Sequence, residues 1–554
     1  MTLTTNGFSR GINGHASING HASINGVPTY DFNHPLLGPL TGIRRNGDVV
    51  QFRSIPYGQV PRRFAHARWI DKLSPKQRYC VDYSYACPQR GQSMDAFGGP
   101  IHGEEPRRYD EFACLNLTVT APAMLLDPDC ETKVGVMVYV HGGGFAEGAH
   151  HGGPHDMTRM DLVDEAILID EPPCNFALFD QRLAFLWVQK YISGFGGNER
   201  QITAFGESAG CASLCFHLSS TIPLFNRVIL QSGSAATISA TSCTSKNAEF
   251  LALLEFCGID KSDAQRLEKL RNVPVEKLVE AAHTLTNSAF SPLAHESFFP
   301  TTPTYSNHHR IVAECPWIEE VILGDAVYEG YLFSSALQSI QYEDFRTHVH
   351  NTLGEERGDE LLQVYEIHTD IDANLFWTRL CVFTGDIMFS LPVHHLAQSL
   401  SKSGKPTYRY SLSLRNPFPG SPYSFVLGHH FIELAYQFMT LLDRFPSPVQ
   451  RDVSVGFATR WLAFANGDAP WSLYVCGPGG EVGADEVLAV ADEREGWVVR
   501  SRLEDLTKTR GGDGGVRRYL QWEVMSGILE SLGDGADAAV AALAFPSLMG
   551  LVRT

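Results

Sequence analysis

The sequence predicts an α/β fold with a central, mostly parallel sheet and helices on both of its faces. Short β-branched runs bounded by turn residues recur at 134–140, 227–231 and 321–324, as expected of strands buried on both faces of a parallel sheet. The segments between them have apolar residues at helical spacing, for example at 175–191. Strands that alternate with helices favour parallel pairing within one catalytic domain.

Composition is that of a globular protein and argues against two classes of partner. Of the 554 residues 44% are hydrophobic and 19% are charged, and the formal net charge is −18. No concentrated basic stretch is present, so we expect neither a nucleic acid nor an anionic membrane as partner. The twelve cysteines form no C-x-x-C pair, and we therefore predict no structural metal. We also expect no cofactor.

The first 33 residues carry a tandem Asn-Gly-His-Ala-Ser-Ile repeat and lack the apolar core of a signal peptide. We expect residues 1–33 to be a disordered tail, residues 34–554 to be a single domain, and the protein to be cytoplasmic, although secretion is not excluded. We also expect no membrane span. The most apolar candidate, at 538–552, is short and contains Pro546, so we interpret it as a terminal helix docked on the core.

In the N-terminal part, the segment 42–57 predicts a hairpin that turns at Asn46 and Gly47. The strand at 134–140 is followed by His-Gly-Gly-Gly-Phe at 141–145. Three glycines after a buried strand expose backbone N–H groups, which an oxyanion hole requires, while a flexible turn is the alternative.

The helix predicted at 175–191 has its core face at Leu183, Leu186, Trp187 and Tyr191. A β-rich run at 202–205 then meets Gly-Glu-Ser-Ala-Gly at 206–210. Glycines on both sides of one serine permit a sharp turn between a strand and a helix that approach closely. Ser208 would stand at the N-terminus of the helix, where free N–H groups favour developing negative charge. We interpret His217, nine residues later, as a packed core residue.

The later elements supply possible partners for this serine. A helical stretch at 249–285 precedes the strand at 321–324, which leads to Asp325 and Glu329; helical patterns follow at 335–400, then a β candidate at 408–412 and a loop with His429 and His430. A serine needs an imidazole to take its proton, and a carboxylate to orient that imidazole. The order serine, acid, histidine is that of one group of serine hydrolases. Taken singly, the acid would be a surface residue and the histidine a loop residue.

Together these motifs resemble the type-B carboxylesterase or cholinesterase-like family, in particular its fungal-type carboxylesterases. The resemblance extends from about residue 40 to about residue 525. It rests on the motifs at 54–57, 114–117, 141–145, 179–189, 195–198, 205–210, 230–233, 329–330 and 461–471, with Cys87.

The resemblance implies an α/β-hydrolase fold and a role for each matching residue. Ser208 would be the nucleophile, and Glu329 the acid, with Asp325 a less favoured substitute. The family pattern His-X-X-(Asp/Glu)-hydrophobic fits His430 to Leu434 and selects His430 over His429 as the base. The resemblance further implies that the oxyanion donors are the amides of Gly143, Gly144 and Ala209. It implies that Glu207 and Ser232 support the triad. It also places the family's first disulfide at Cys87 and Cys114.

Two departures from the family pattern bear on function. A strand predicted at 166–170 runs almost directly into the helix at 175–191, and much of the usual intervening pattern is missing. The loop between Cys87 and Cys114 contains no tryptophan, which argues against a choline site.

We therefore expect a serine carboxylic-ester hydrolase that forms an acyl-enzyme with small or medium uncharged esters. Two alternatives stay open, a weak or inactive hydrolase-fold binding protein and a transacylase or specialised esterase of secondary metabolism. We expect loops at about 280–320 and 335–425 to form the substrate pockets. The sequence assigns neither acyl specificity nor oligomeric state.

Overall fold

The structure is a computed structural model, and it describes residues 23–24, 27–45, 48–90, 95–99, 107–149, 174–285, 290–477, 486–501 and 514–551. Strands within these ranges are β1 Ser23–Ile24, β2 Val27–His34, β3 Gly38–Arg45, β4 Val49–Pro56, β5 Gly58–Gln59, β6 Arg68–Trp69, β7 Tyr85–Ala86, β8 Arg108–Tyr109, β9 Asn116–Pro122, β10 Val134–Val140, β11 Gly197–Glu207, β12 Arg227–Gln231, β13 Glu320–Ala326, β14 Thr407–Ser413, β15 Val487–Asp492 and β16 Gly496–Ser501.

The α-helices in the same ranges are α1 Phe176–Tyr191, α2 Ala209–Leu218, α3 Cys243–Phe256, α4 Arg266–Arg271, α5 Val275–Leu285, α6 His308–Ala313, α7 Ser334–Leu337, α8 Tyr342–Leu353, α9 Glu355–Val364, α10 Ala373–Gly385, α11 Leu391–Lys402, α12 Glu433–Gln437, α13 Pro448–Ala465, α14 Gly514–Ser531, α15 Ala536–Leu543 and α16 Phe545–Leu548. A 3₁₀ turn, Glu329–Phe333, follows β13, and a π-helical turn, Asp386–Ser390, joins α10 to α11.

The central sheet has seven strands in the order β10-β11-β12-β13-β14-β15-β16. All neighbours pair in parallel except β15 and β16, which are antiparallel. This confirms the predicted mostly parallel α/β architecture. The strand predicted at 166–170 lies outside the described residues, and within the described ranges β10 forms one edge of the sheet.

A second sheet has the order β1-β2-β3-β4-β9 and is antiparallel. The predicted hairpin is confirmed as β3 and β4, although its turn residues 46–47 are outside the described ranges. The tail boundary at residue 33 was placed too late, because β2 pairs along its length with β3. Residues 27–34 gain ladder hydrogen bonds and bury Thr29 and His34, which their polar sequence did not reveal. The single-domain prediction is untested.

Apolar side chains fill both faces of the central sheet. In β12, Val228 and Leu230 belong to the core beneath α1 and α2, whereas Ile229 belongs to the core beneath α13. Successive side chains of a strand point to opposite faces, so the continuous apolar run reflects helices on both sides. The helix α1 confirms the prediction at 175–191, with Trp187 and Tyr191 buried and Leu183 and Leu186 only partly so.

A third core joins the helices α8 to α11 to the C-terminal helices α14 to α16. The prediction that the run at 538–552 docks on the core is confirmed as far as residue 551. The continuous helix Ala373–Lys402 is long and apolar enough to cross a membrane, and 83% of its most apolar window is buried inside the protein. Helical patterns at 335–400 were predicted from the sequence, but not the length and apolar character of this helix; burial of this kind is usual in core helices.

Candidate active site

Ser208 occupies the turn between β11 and α2, as the sequence predicts. Its backbone angles are φ 57° and ψ −121°, a region that non-glycine residues adopt only under strain and mainly at functional sites. The amide of Ser208 donates to the Gln231 carbonyl at 3.0 Å, which ties the turn to the neighbouring strand β12. The serine side chain is therefore held at the carboxyl end of the sheet.

Glycines beside the serine are required by close approach to the end of β10. A Cβ at Gly206 would lie 2.7 Å from the Val140 carbonyl oxygen, and one at Gly210 would lie 2.1 Å from the same atom. Ordinary carbon–oxygen contacts are longer than 3 Å, so neither position accepts a side chain without moving β10. This is the physical reason for the glycines on both sides of the serine.

His430 links the serine to a buried carboxylate. Its Nε2 lies 2.8 Å from Oγ of Ser208, and its Nδ1 lies 2.6 Å from Oε2 of Glu329. His430 and Glu329 are 2% and 1% exposed. The structure thus brings together the three residues that the sequence singled out, across separations of 222 and 101 positions.

Glu329 is oriented by its own turn. Its Oε1 accepts a hydrogen bond from the Ala326 amide at 2.6 Å, leaving Oε2 for the histidine. The next residue, Gly330, packs so tightly on α10 that a Cβ there would lie 1.9 Å from the Cys381 carbonyl oxygen. Glu329 therefore supplies the hydrogen-bond acceptor for the imidazole, and Gly330 lets the turn pack closely against α10.

Both alternative partners are engaged elsewhere. Asp325 forms a buried ion pair with Arg409, with 2.7 Å between Oδ1 and Nη2. The ring of His429 contacts the Asn416 amide at 3.1 Å, and burial lowers its pKa to about 3. The backbone explains the choice, because the Tyr328 amide donates to the Gly428 carbonyl at 2.7 Å and thereby sets the two loops side by side.

The glycine loop after β10 lies against the serine. Gly143 and Gly144 have φ values of 108° and 61°, and both line the cavity around Ser208. Within the described chain neither of their amides donates to a backbone carbonyl. The Ala209 amide opens α2, where the first N–H groups have no partner in the helix. All three predicted donors are thus placed around the serine.

Two further acids are buried beside the histidine. Oε1 of Glu207 lies 3.1 Å from Nε2 of His430, and burial, followed by the charge of Glu329, raises the pKa of Glu207 well above its usual range. Ser232 donates to Oε1 of Glu433 at 3.2 Å, and burial together with Glu207 and Glu329 raises the pKa of Glu433 to about 8. Below that pH the Glu433 carboxyl is mainly uncharged.

A cavity of about 1110 Å³ opens onto Ser208. One wall is apolar and includes Phe333, Phe389 and Phe545. Phe389 lies over the ring of His430 with 4.5 Å between centroids, and it belongs to the π-helical turn. The predicted pocket loops contribute residues 290–291, 304–305, 388–389 and 422–423, whereas the walls from 236–241 and 537–545 were not predicted.

The remaining predicted positions also have defined surroundings. Cys87 and Cys114 are free thiols and hydrogen-bond partners; their contact lowers the pKa of Cys87 and, with burial, raises that of Cys114. The disulfide implied by the resemblance stays a prediction. His217 is fully buried and contacts Gln181, which confirms it as a core residue. No group of three possible ligands among the described residues is arranged to hold a metal.

Sequence reasoning missed three contributors to this site. Glu433 was considered only as the acidic position of the pattern that starts at His430, and its burial beside Ser232 was not predicted. Arg90 and Arg107 line the cavity, and the signal for them was their position between Cys87 and Cys114. Phe545 and its neighbours carried no recognisable signal, because apolar helices at a chain end are common.

Solved structures identify the class of this fold. A structure described as PNB esterase superposes on 87% of this chain and 98% of its own, with a TM-score of 0.66 and 22% identity. The fold is therefore that of the α/β hydrolases. A family model described as the carboxylesterase family matches residues 32–481. This chain belongs to the carboxylesterase family.

Curated relatives match over different lengths. Acetylcholinesterase of Danio rerio is 32% identical over 291 residues, covering 46% of this chain and 44% of that protein. Para-nitrobenzyl esterase of Bacillus subtilis (strain 168) is 26% identical over 482 residues, covering 78% of this chain and 89% of that protein. The chain thus spans less than half the length of the cholinesterases of zebrafish and of Mus musculus, 44% and 47%.

Proposed function

We propose that this protein is a serine carboxylic-ester hydrolase that acts through an acyl-enzyme on small-molecule esters. One observation carries the proposal, the continuous contact from Oγ of Ser208 through the imidazole of His430 to the carboxylate of Glu329. Membership of the carboxylesterase family and the likeness to a para-nitrobenzyl esterase support it.

In this reaction His430 takes the proton of Ser208 as the oxygen attacks the ester carbonyl. Glu329 holds the imidazole with Nδ1 protonated and stabilises the imidazolium that forms. The amides of Gly143, Gly144 and Ala209 bind the oxyanion, and each such donor typically stabilises the transition state by about 3–4 kcal/mol. The imidazolium then protonates the leaving alcohol, and water, activated by the same base, releases the acid.

Glu207 and Ser232 support this chemistry without reacting themselves. The Glu207 carboxyl adjoins Nε2 of His430, so it can stabilise the imidazolium during proton transfer. Ser232 orients the carboxyl of Glu433 by its hydrogen bond. Neither residue contacts the position of the reacting carbonyl directly in this scheme.

The test is labelling with a fluorescent alkyl phosphonate, followed by mass spectrometry of the modified peptide. We expect one label on Ser208, and we expect Ser208→Ala to lose both labelling and turnover of 4-nitrophenyl acetate. Ser239 is a matched control, because it lines the same cavity but donates to the Ala236 carbonyl. Ser239→Ala should be labelled at the normal rate.

Two results would oppose the proposal in different ways. Folded wild-type protein that neither reacts with the phosphonate nor hydrolyses the ester would favour the binding-protein alternative. Normal turnover by Ser208→Ala would exclude Ser208 as nucleophile. Adding alcohols to the assay separates hydrolysis from acyl transfer, because a transacylase forms mainly the new ester and little free acid.

A further inference from the structure

Two arginines that pair with none of the described acidic residues line the cavity that opens onto Ser208. They are Arg90 and Arg107. Neither guanidinium takes part in a hydrogen bond or a salt bridge within the part of the chain that the structure describes. A guanidinium presents several N–H donors in a plane and binds carboxylates in a bidentate manner. Arginines in a substrate cavity that pair with no described residue are therefore available to an anionic ligand.

The backbone brings both arginines to the oxyanion side of the cavity. The strands β7 and β8 pair in parallel, with Tyr85 opposite Arg108. The Gln89 side chain then joins Gly148 twice: its Nε2 donates to the carbonyl at 2.7 Å, and its Oε1 accepts from the amide at 2.9 Å. Arg90 follows directly, so it adjoins the end of the glycine loop.

Electrostatics place Arg107 near the start of the same loop. Burial lowers the pKa of His141, and the charge of Arg107 lowers it further. His141 begins the glycine loop whose amides surround Ser208. The two guanidinium groups thus lie close to the path of a substrate bound for the serine.

Acids in the cavity wall do not neutralise these arginines. Burial raises the pKa of Glu207 well above its usual range, which disfavours its charged form. Asp537, in another part of the wall, accepts hydrogen bonds from the amide and hydroxyl of Ser306 at 2.8 and 2.9 Å. Glu147 also lines the cavity and has an interaction of its own. Positive charge is left near the glycine loop.

We propose that Arg90 and Arg107 bind a free carboxylate of the substrate, so that the protein prefers esters that carry a second, ionised carboxyl group. Monoesters of dicarboxylic acids and acyl esters of hydroxybenzoic acids belong to this class. The inference rests on the proposed function, and it replaces the sequence-based expectation of uncharged esters. It also agrees with the absence of tryptophan between Cys87 and Cys114, since a cation site and two arginines would be incompatible.

The test compares isosteric pairs that differ only in charge. Mono-4-nitrophenyl glutarate is paired with 4-nitrophenyl glutaramate, and 3-acetoxybenzoate with 3-acetoxybenzamide, so that the carboxylate lies in either half of the ester. We expect wild type to have the higher kcat/KM for the carboxylate member of at least one pair. That preference should fall about tenfold in Arg90→Gln or Arg107→Gln and about a hundredfold in the double variant, mainly through KM. Added NaCl should reduce it in wild type.

Arg62→Gln is the matched control. Arg62 is an exposed arginine outside the cavity wall, and its replacement removes the same charge. This variant should keep the wild-type preference. An equal loss in Arg62→Gln would show that only net charge matters, and would overturn the proposal.

Binding provides a readout that does not depend on turnover. Full-length Ser208→Ala protein is titrated with 3-acetoxybenzoate in a calorimeter, with and without Arg90→Gln and Arg107→Gln. We expect Kd to rise at least tenfold when both arginines are replaced. An unchanged Kd, or an unchanged preference in the double variant, contradicts the proposal. Tighter competition by inorganic phosphate than by benzoate would identify another anion and also overturn it.

The two proposals fail separately. If wild type hydrolyses the neutral esters but shows no arginine-dependent preference, the carboxylate site is wrong and the hydrolase stands. If no ester is hydrolysed and the phosphonate does not react, the hydrolase is wrong, and the calorimetric titration still decides whether the arginines bind carboxylates.

Discussion

Oε1 of Glu207 lies 3.1 Å from Nε2 of His430, the same ring nitrogen that lies 2.8 Å from Oγ of Ser208. Both side chains are buried, at 3% and 2% exposure. The nitrogen that would accept the serine proton therefore has an acidic neighbour whose pKa burial raises well above its usual range. When the imidazole becomes positive, ionisation of this acid becomes favourable.

Glu207→Gln should consequently lower kcat for 4-nitrophenyl acetate about 10- to 100-fold, since hydrogen bonds to charged groups contribute about 1.5–3 kcal/mol. The amide keeps the shape of the side chain but cannot ionise. Steady-state kinetics from pH 6 to 9, together with circular dichroism to verify folding, would measure the effect. A kcat within twofold of wild type at all pH values would exclude a role in stabilising the imidazolium.

The acid assignment can be tested with two carboxylates four positions apart. Glu329→Gln should lower kcat by about 10³- to 10⁴-fold with little change in KM, because an amide at this position favours the wrong tautomer of His430. Asp325→Asn should instead destabilise the fold by about 3–5 kcal/mol, since it leaves Arg409 buried without its partner. Kinetics and urea unfolding on both variants would distinguish these effects. The assignment fails if Asp325→Asn is the folded but inactive protein.

The close packing of the turn at Ser208 predicts that two glycine substitutions change the free energy of unfolding in opposite directions. Gly210→Ala should lower the free energy of unfolding by more than about 2 kcal/mol, because its Cβ would lie 2.1 Å from the Val140 carbonyl oxygen. Gly527 lies within α14 with open space around it, so Gly527→Ala should raise that free energy by about 1 kcal/mol. Urea unfolding of the two proteins provides the comparison. Equal stabilities would show that β10 yields easily.

The C-terminal segment predicts the size of the acyl or alcohol group that the cavity accepts. Val540, Ala544 and Phe545 line it, and Phe545 stacks on Phe333 with 4.1 Å between centroids. Ala544→Trp should fill part of the cavity and lower kcat/KM for 4-nitrophenyl decanoate at least tenfold more than for the acetate. Ala538→Trp is the control, because Ala538 is exposed on α15 outside the wall. A parallel decline for both esters would indicate general damage instead.

Glu433 predicts a pH dependence of stability with a defined sign. Its pKa is about 8 in the folded protein and near 4.5 when exposed. Between these values the folded state holds a proton that the unfolded state has lost, so stability decreases as pH rises through this window. Glu433→Gln should make the decrease less steep, by at most about 1.4 kcal/mol per pH unit.

Urea unfolding at pH 5, 6, 7 and 8 would measure this slope. Glu356→Gln serves as control, because Glu356 is exposed on α9 and its replacement should leave the slope unchanged. An identical slope in wild type and Glu433→Gln would mean that the buried carboxyl is ionised at neutral pH.

Much of the fold was predictable because its signals are local. The strands β10, β12 and β13 are continuous apolar runs, and their neighbours in the sheet follow the chain order. The strand β2 was not predictable, since its polar residues are held in the sheet by antiparallel pairing with the next strand, β3, rather than by their own propensity. The second sheet, the three cores and the docking of α14 to α16 likewise depend on contacts between remote segments.

The sequence by itself determined the turn at Ser208, because five consecutive residues define a strand-to-helix junction whose glycines are required by nearby backbone. It also ordered the acid and the histidine after the serine. Only the tertiary structure placed His430 rather than His429 in contact with that serine, and Glu329 rather than Asp325 in contact with His430. Such choices depend on side-chain direction and on hydrogen bonds between distant loops. The same holds for Arg90, Arg107 and Phe545, which meet in one cavity because separate segments converge at the carboxyl end of the sheet.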